Sequence, residues 1–446
     1  MIIGIRREDK NRWERRVPLA PDDLAQLKAS LGIEFHVQPS PIRIFADSEF
    51  AAAGAELRED LSACDLIMGV KEVPTHLLMP AKNYLYFAHV IKCQASNMPM
   101  LQRLLDLGCA LFDYELITDE QGRRLVFFGR YAGLAGMIDS LHALGRRLEI
   151  EGVPSPFAEI KLAHEYKDLP EALEAIDRLG AKIRVHGLDP RITPLVVGFA
   201  GYGHASQGAQ EILDRLPVKT ITPAELAAVR AQPRTAGNEI YKVVFKEEHL
   251  VTPREQKRFE LREYYDHPEK YRSIFDAYLP HLTMLVNCIF WTARYPRLVT
   301  KRAVAELYRE SRPHLRVIGD ISCDIDGSIE VTGRSTTPDQ PCFVYEASTG
   351  RMLDGYAGNG PVVLAVDNLP CELPRESSVF FSHTLRDFLG AFAGADLTAP
   401  VEAWALPEPM KRALIAARGE LRPRFDYIKD CLAGVRPDAG TERSGA

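Results

Sequence analysis

Short apolar runs alternate with amphipathic stretches along the first third of the chain. Apolar runs at 2–5, 33–37, 66–70, 84–90 and 109–117 have the length of buried strands. Between them lie helical patterns. Pro21-Asp22-Asp23 opens one, with Leu24, Leu27 and Leu31 on a single face, and 50–55 and 98–107 form two more. Such alternation predicts a parallel sheet with helices on both faces. Residues 129–149 then read as one long helix with Leu134, Met137, Ile138, Leu141 and Leu144 on its apolar side. The spacing predicts a helix at 171–179, strands at 182–185 and 195–200, a glycine turn, and a helix from Gly208. A strand at 218–222 follows. Residues 230–280, rich in charge and tyrosine, read as a helical insertion. Strands at 283–291 and 315–321 flank a helix at 301–310. The remainder carries an apolar run at 362–366 and helices at 378–392 and 407–417.

The glycine turn gives this pattern its first chemistry. Gly201-Tyr202-Gly203-His204-Ala205-Ser206-Gln207-Gly208 follows a strand and opens a helix, so backbone N–H groups gather where a pyrophosphate can sit. The match is partial: Ser206 stands at the sixth position and Gly208 comes two residues late. After the next expected strand stand Thr220 and Thr222, with Lys219 and Arg230 nearby, where an NAD site often has an acid. That points to NADP(H), with NAD(H) the alternative if Glu225 is the acid.

Composition narrows the partners. The 446 residues allow two to three domains, and a net charge of −6 disfavours a nucleic-acid face. No apolar run would span a bilayer, and the amino terminus lacks a signal-peptide layout, so the expectation is a cytoplasmic protein acting on small molecules. Eight scattered cysteines without C-x-x-C suggest buried free thiols, with neither disulfides nor a metal site. Residues 436–446 read as a disordered tail.

Four clusters could carry chemistry. Arg16 lies in Trp13-Glu14-Arg15-Arg16-Val17-Pro18, and arginine suits bidentate carboxylate binding. Lys71 in Gly69-Val70-Lys71 follows a strand, where a lowered pKa would make it a base. His89 in Tyr86-Phe87-Ala88-His89-Val90-Ile91-Lys92 falls near a strand end of the same sheet, and its ordinary pKa suits acid–base work. Arg130, near a helix start, favours an anion over its own helix.

With Ile5-Arg6-Arg7-Glu8, Asn287 to Trp291, Asp320-Ile321-Ser322-Cys323-Asp324, Gly327-Ser328-Ile329-Glu330 and Asp367-Asn368-Leu369-Pro370, these motifs make the chain resemble the lysine-ketoglutarate reductase family. That family, also called saccharopine dehydrogenase (L-lysine-forming), is related to alanine dehydrogenase and transhydrogenase. The chain most resembles the NADP-dependent reductase half of the bifunctional animal and plant enzyme, without the saccharopine-cleaving half.

The resemblance implies an α/β fold of two Rossmann-like, doubly wound domains with a cleft between them. A substrate domain would comprise 1–130 plus about 345–435, and a dinucleotide domain 131–344. It implies Lys71 and His89 as the acid–base pair, and Arg16, Lys92 and Arg130 as holders of substrate carboxylates. Gly201, Gly203, Gly208, Thr222, Asp320 and Asp324 would lie on the cofactor side. The implied reaction is NADPH-dependent condensation of L-lysine with 2-oxoglutarate to saccharopine, in an enzyme that could be a homo-oligomer. Another opine-type or amino-acid dehydrogenase, and a non-catalytic NADP-binding regulator, are the alternatives.

Overall fold

The computed structural model describes residues 1–232, 237–309 and 313–434, and the chain divides into two compact units. The first comprises Met1–Phe128 and the chain from Pro374; the second is Gly129–Leu373. The return crossing therefore lies at 373/374 and not near 345. The reason is pairing: Cys342–Tyr345 and Met352–Asp354 are antiparallel strands of the second unit's sheet, joined to it through Val362–Leu364.

The first unit is built on an eight-stranded sheet. Six strands are parallel, in the spatial order Ala110–Asp113, Asn83–Tyr86, Leu66–Met68, Ile2–Ile5, Glu34–Val37, Glu56–Leu57. The chain runs outward from Ile2–Ile5 on one side, then restarts on the other side with Leu66–Met68. A switch of this kind leaves a crevice beyond the carboxyl ends of the two central strands. Leu414–Ala417 and Glu420–Leu421 add an antiparallel edge. The expected helix at 407–417 thus stops at Ala413, and its last four residues are strand.

The carboxyl-terminal chain also contributes the helix Pro374–Ala393, packed on Pro21–Leu31. Its Ser378 and Ser382 hydroxyls accept hydrogen bonds from the backbone N–H groups of Val17 (3.0 Å) and Ala20 (2.8 Å). Its Phe381 stacks on Phe128, with centroids 4.3 Å apart. The segment carrying Arg16 is held in this way by residues more than 350 positions away.

The second unit has its own eight-stranded sheet, in the order Met352–Asp354, Cys342–Tyr345, Val362–Leu364, Val317–Asp320, Met284–Asn287, Leu195–Ala200, Ile240–Phe245, Val218–Ile221. Residues 230–280 are therefore not simply a helical insertion. Ile240–Phe245 is a buried strand pairing in parallel with Leu195–Ala200 along its whole length. Its β-branched and aromatic residues favour that state despite the charges after it. Conversely, the expected strand at 182–185 lies inside the helix Leu169–His186, capped by Gly187. The helix after the glycine turn begins at His204, four residues before Gly208. The helix from Lys301 ends at Leu307; Glu310, in its expected span, lies outside the described residues, as does the expected tail 436–446.

The expectation of free thiols fails at one pair. Cys93 and Cys431 form a disulfide within the first unit, with Cα atoms 5.9 Å apart. The other six cysteines form no disulfide, and four of them are buried. No helix among the described residues is long and apolar enough to cross a membrane.

Candidate active site

Lys71 and His89 do not sit on strands. The strands before them end at Met68 and Tyr86, and the apolar residues Val70 and Val90 that lengthened the pattern are buried loop residues. Both side chains therefore stand beyond the carboxyl edge of the first sheet, on its switch side. His89 occupies a left-handed turn (φ 51°), as does Cys93 (φ 55°). The turn is held from several directions. Asn97 Nδ2 donates to the Ala88 and His89 carbonyls, the Tyr427 hydroxyl donates to the Ile91 carbonyl (2.7 Å), and the disulfide fixes Cys93.

Glu72 organises the pair. One oxygen lies 2.6 Å from His89 Nδ1, and the other accepts from Lys10 Nζ at 2.9 Å. Burial opposes ionisation of Glu72, but the His89 ring and the Lys10 ammonium outweigh it and hold the carboxyl at about 2. An ionised Glu72 can only accept, so Nδ1 of His89 carries a proton and Nε2 is the nitrogen left for chemistry. Burial pushes Lys71 below the usual lysine range. The Arg16 guanidinium and Lys10 push the same way, against Glu14 and Glu72. The amine therefore loses its proton more readily than an ordinary lysine does, where a base is needed.

Arg16 is buried, lies over the Phe128 ring (4.3 Å), and has one edge taken by Glu14, with Nε at 2.7 Å and Nη2 at 2.6 Å. Lys92 is exposed on the same turn as His89. Lys71, His89, Arg16 and Lys92 thus belong to one unit. Arg130 does not: it lies in the second unit and is bound bidentately by Glu211 (2.9 and 2.6 Å). Sequence reasoning missed Glu72 and Glu14, although each is next to or near a residue it singled out.

In the second unit, Gly201 adopts φ 94°, a conformation side chains rarely take, and a Cβ there would also crowd the Cys288 carbonyl at 3.3 Å. Gly208 has a different task. A Cβ on it would stand 2.1 Å from the Arg130 carbonyl, and one on Gly133 would stand 1.9 Å from the Ala205 carbonyl. These two glycines let the helices Gly129–Ile150 and His204–Leu213 cross in contact. Gly208 therefore packs the helix, and Gly201 and Gly203 form the turn.

The turn borders a cavity of about 460 Å³ lined by Tyr202, Glu247, Tyr264, Tyr265, Trp291 and Tyr295, among others. It lies at the switch between Leu195–Ala200 and Met284–Asn287. Thr222 does not line it: Val218–Ile221 is the outer edge strand, and the Thr222 hydroxyl donates to Glu225 (2.8 Å). The strand beside the glycine strand ends at Phe245, and two residues on stands Glu247. Its carboxylate accepts from the Tyr265 hydroxyl (2.5 Å) and the Tyr202 hydroxyl (3.2 Å). Glu247, and not Glu225, thus stands beyond the strand that pairs with the glycine strand.

Asp320 ends the strand Val317–Asp320, which pairs with Met284–Asn287, and is buried. It accepts from Asn287 (2.8 Å), Thr332 (2.6 Å) and the Cys323 N–H (3.2 Å). Burial pushes its carboxyl up to about 6, against those hydrogen bonds. Asp324 is half-buried in the loop beyond it.

Comparison with known proteins agrees with this architecture. Residues 4–135 match the N-terminal domain of alanine dehydrogenase/PNT, and residues 268–423 match the C-terminal domain. The chain is 37% identical to the alpha-aminoadipic semialdehyde synthase of Arabidopsis thaliana over 96% of its own length, but spans only 41% of that protein. It is 28% identical to the saccharopine dehydrogenase [NAD(+), L-lysine-forming] of Neurospora crassa, covering 86% of this chain and 89% of that one. An L-alanine dehydrogenase structure shares the fold with a TM-score of 0.62 at 16% identity, covering 97% of this chain and all of its own. The chain belongs to the alanine dehydrogenase/PNT family.

Proposed function

We propose that this chain, an oxidoreductase of its family, joins L-lysine to 2-oxoglutarate by reductive condensation, forming saccharopine. The observation that carries the reading is the cluster at the first switch: an amine whose proton burial loosens (Lys71), a histidine with a fixed tautomer (His89) and a buried guanidinium (Arg16). The sequence relatives named for saccharopine and aminoadipic semialdehyde support the substrate class.

The residues divide the work as follows. Lys71 takes a proton from the substrate ammonium, freeing the amine to add to the keto carbon. His89 Nε2 gives a proton to the carbinolamine oxygen, which leaves as water. Glu72 stabilises the imidazolium before that transfer and holds Nδ1–H after it. Arg16 and Lys92 offer cations to the substrate carboxylates. A bound nicotinamide dinucleotide supplies the hydride.

For that dinucleotide we propose NAD(H), in place of the NADP(H) expected above. The earlier reading rested on the lack of an acid on the ribose side. Glu247, two residues past the strand beside the glycine strand, supports NAD(H), because a carboxylate there would accept from a ribose 2′-OH and repel a 2′-phosphate. Lys246, next to it, is exposed.

The test is dinucleotide oxidation with lysine plus 2-oxoglutarate, run with NADH and with NADPH. Turnover requiring both substrates, and faster with NADH, is the expected outcome. Turnover only with ammonia and pyruvate, or with another amine and keto acid, would replace the substrate assignment. Tight dinucleotide binding without turnover on any such pair would favour a regulatory protein.

A further inference from the structure

Two motifs of the first unit interlock in a way that the acid–base scheme does not use. Arg6-Arg7-Glu8 leaves the strand Ile2–Ile5, and Gly69-Val70-Lys71 leaves the neighbouring strand Leu66–Met68. These are the two strands that border the switch crevice. Glu8 is buried, and each of its carboxylate oxygens holds one backbone group of the other motif. Oε1 accepts from the Val70 N–H at 2.7 Å, and Oε2 accepts from the Lys71 N–H at 3.0 Å.

Gly69 makes room for this clamp. A Cβ there would lie 3.2 Å from Glu8 Oε1 and 3.2 Å from the Arg6 side chain. The charged and titratable groups facing Glu8 are Arg6 on its own segment, Glu14 on the following loop, and Tyr114 beyond the strand Ala110–Asp113. Burial and Glu14 raise the Glu8 carboxyl to about 7, against Arg6 and the two N–H groups. A buried carboxylate with both oxygens on main chain is a poor candidate for substrate contact. Its geometry decides where the chain turns out of the sheet, and hence where the Lys71 amine stands.

We propose that Glu8 is the positioning residue of Lys71, fixing the amine by clamping the backbone of Val70 and Lys71 at the switch. The inference rests on reading Lys71 as the base of the proposed reaction. Glutamine cannot replace the clamp, because one of its two terminal groups donates where an acceptor is required. It does remove a buried charge. The fold should therefore tolerate Glu8→Gln better than the chemistry does.

The experiment compares wild type, Glu8→Gln and Gly69→Ala in the full chain by two readouts. One is kcat and KM with lysine, 2-oxoglutarate and NADH. The other is the pH dependence of Lys71 acylation by an amine-reactive ester, followed by peptide mass spectrometry. A displacement of a reacting group by an ångström can lower rate by roughly 10²-fold. For Glu8→Gln we expect kcat to fall roughly 10-fold or more with KM within about twofold, and the Lys71 midpoint to rise towards that of an ordinary lysine. The melting temperature should stay within a few degrees of wild type. Gly69→Ala should move both readouts the same way by less, and it decides the matter if Glu8→Gln does not fold. Unchanged kcat together with an unchanged Lys71 profile would overturn the proposal. If wild type shows no turnover, the functional reading fails, while the labelling profile still decides whether Glu8 positions Lys71.

Discussion

Both units place a strand-order switch at the carboxyl edge of an eight-stranded sheet, but they fill it with opposite chemistry. In the first, Glu8, Glu14, Arg16, Lys71, Glu72 and His89 crowd the edge as paired ions and a polarised imidazole. In the second, a glycine turn opens on a cavity of tyrosines and a tryptophan with one carboxylate, Glu247. The architecture is shared, so the difference must come from the loops beyond the strands. A dense set of charges suits moving protons, whereas aromatic rings and backbone N–H groups suit holding a flat, anionic dinucleotide.

The variants that should separate the two edges most sharply are Lys71→Ala and His89→Ala. Each should lower turnover by roughly 10²-fold or more, the usual scale for an acid–base group, and leave dinucleotide affinity in place. Steady-state kinetics beside a fluorescence titration checks both halves.

Reduction of Cys93–Cys431 acts on the first edge alone. It releases the turn that carries His89 and Lys92 from the short helix Ile428–Leu432. Disulfide loss typically lowers stability by about 2–4 kcal/mol. Thermal unfolding with and without a dithiol should show the loss, and Cys431→Ser should reproduce it without reductant.

Glu247→Gln acts on the second edge alone. Losing a charged acceptor should weaken NADH relative to NADPH by roughly 10-fold, one hydrogen bond to a charged group being worth about 1.5–3 kcal/mol. Comparing KM for the two dinucleotides in variant and wild type reads this directly.

A smaller effect concerns a carboxyl pair buried in the second unit. Asp139 and Glu372 face each other, with His164 Nδ1 3.6 Å from Glu372. Burial raises both, Glu372 to about 8 and Asp139 well above its ordinary range, with Glu372 adding to the latter. Folded-state values above the unfolded ones favour the protonated forms. Their contribution to stability is therefore complete below about pH 4.5 and is lost as pH rises through about 8. The melting temperature should fall by a few degrees between pH 6 and 9, and Glu372→Gln should flatten that slope.

Much of the first edge was legible in the sequence, because Lys71 and His89 stand at the ends of apolar runs and Arg16 lies in the loop between a strand and a helix. What the sequence hid has identifiable causes. Val70 and Val90 are apolar but lie in buried loops, so strands looked longer than they are and His89 seemed to sit inside one. Glu8, Glu14 and Glu72 look like ordinary solvated acids until the fold buries them against Arg16, Lys71 and His89. Ile183 and Val185 imitate a strand within a helix.

The second edge was legible only in part. The turn at Gly201 and Gly203 was visible, and the position of Gly208 is explained by its packing on Arg130. Strand order was not visible. The next strand along the chain, Val218–Ile221, is not the next strand in space, so the acid beyond the strand beside the glycine strand is Glu247 and not a residue near Thr222. The Cys93–Cys431 pair spans 338 residues, beyond any spacing rule.

The division of labour between the edges is tested most directly by one paired measurement on Lys71→Ala: NADH affinity by fluorescence titration, and NADH oxidation with lysine and 2-oxoglutarate. The account predicts an affinity within about twofold of wild type and turnover lower by roughly 10²-fold or more. Wild-type turnover in the variant, or affinity and turnover lost together, would contradict it.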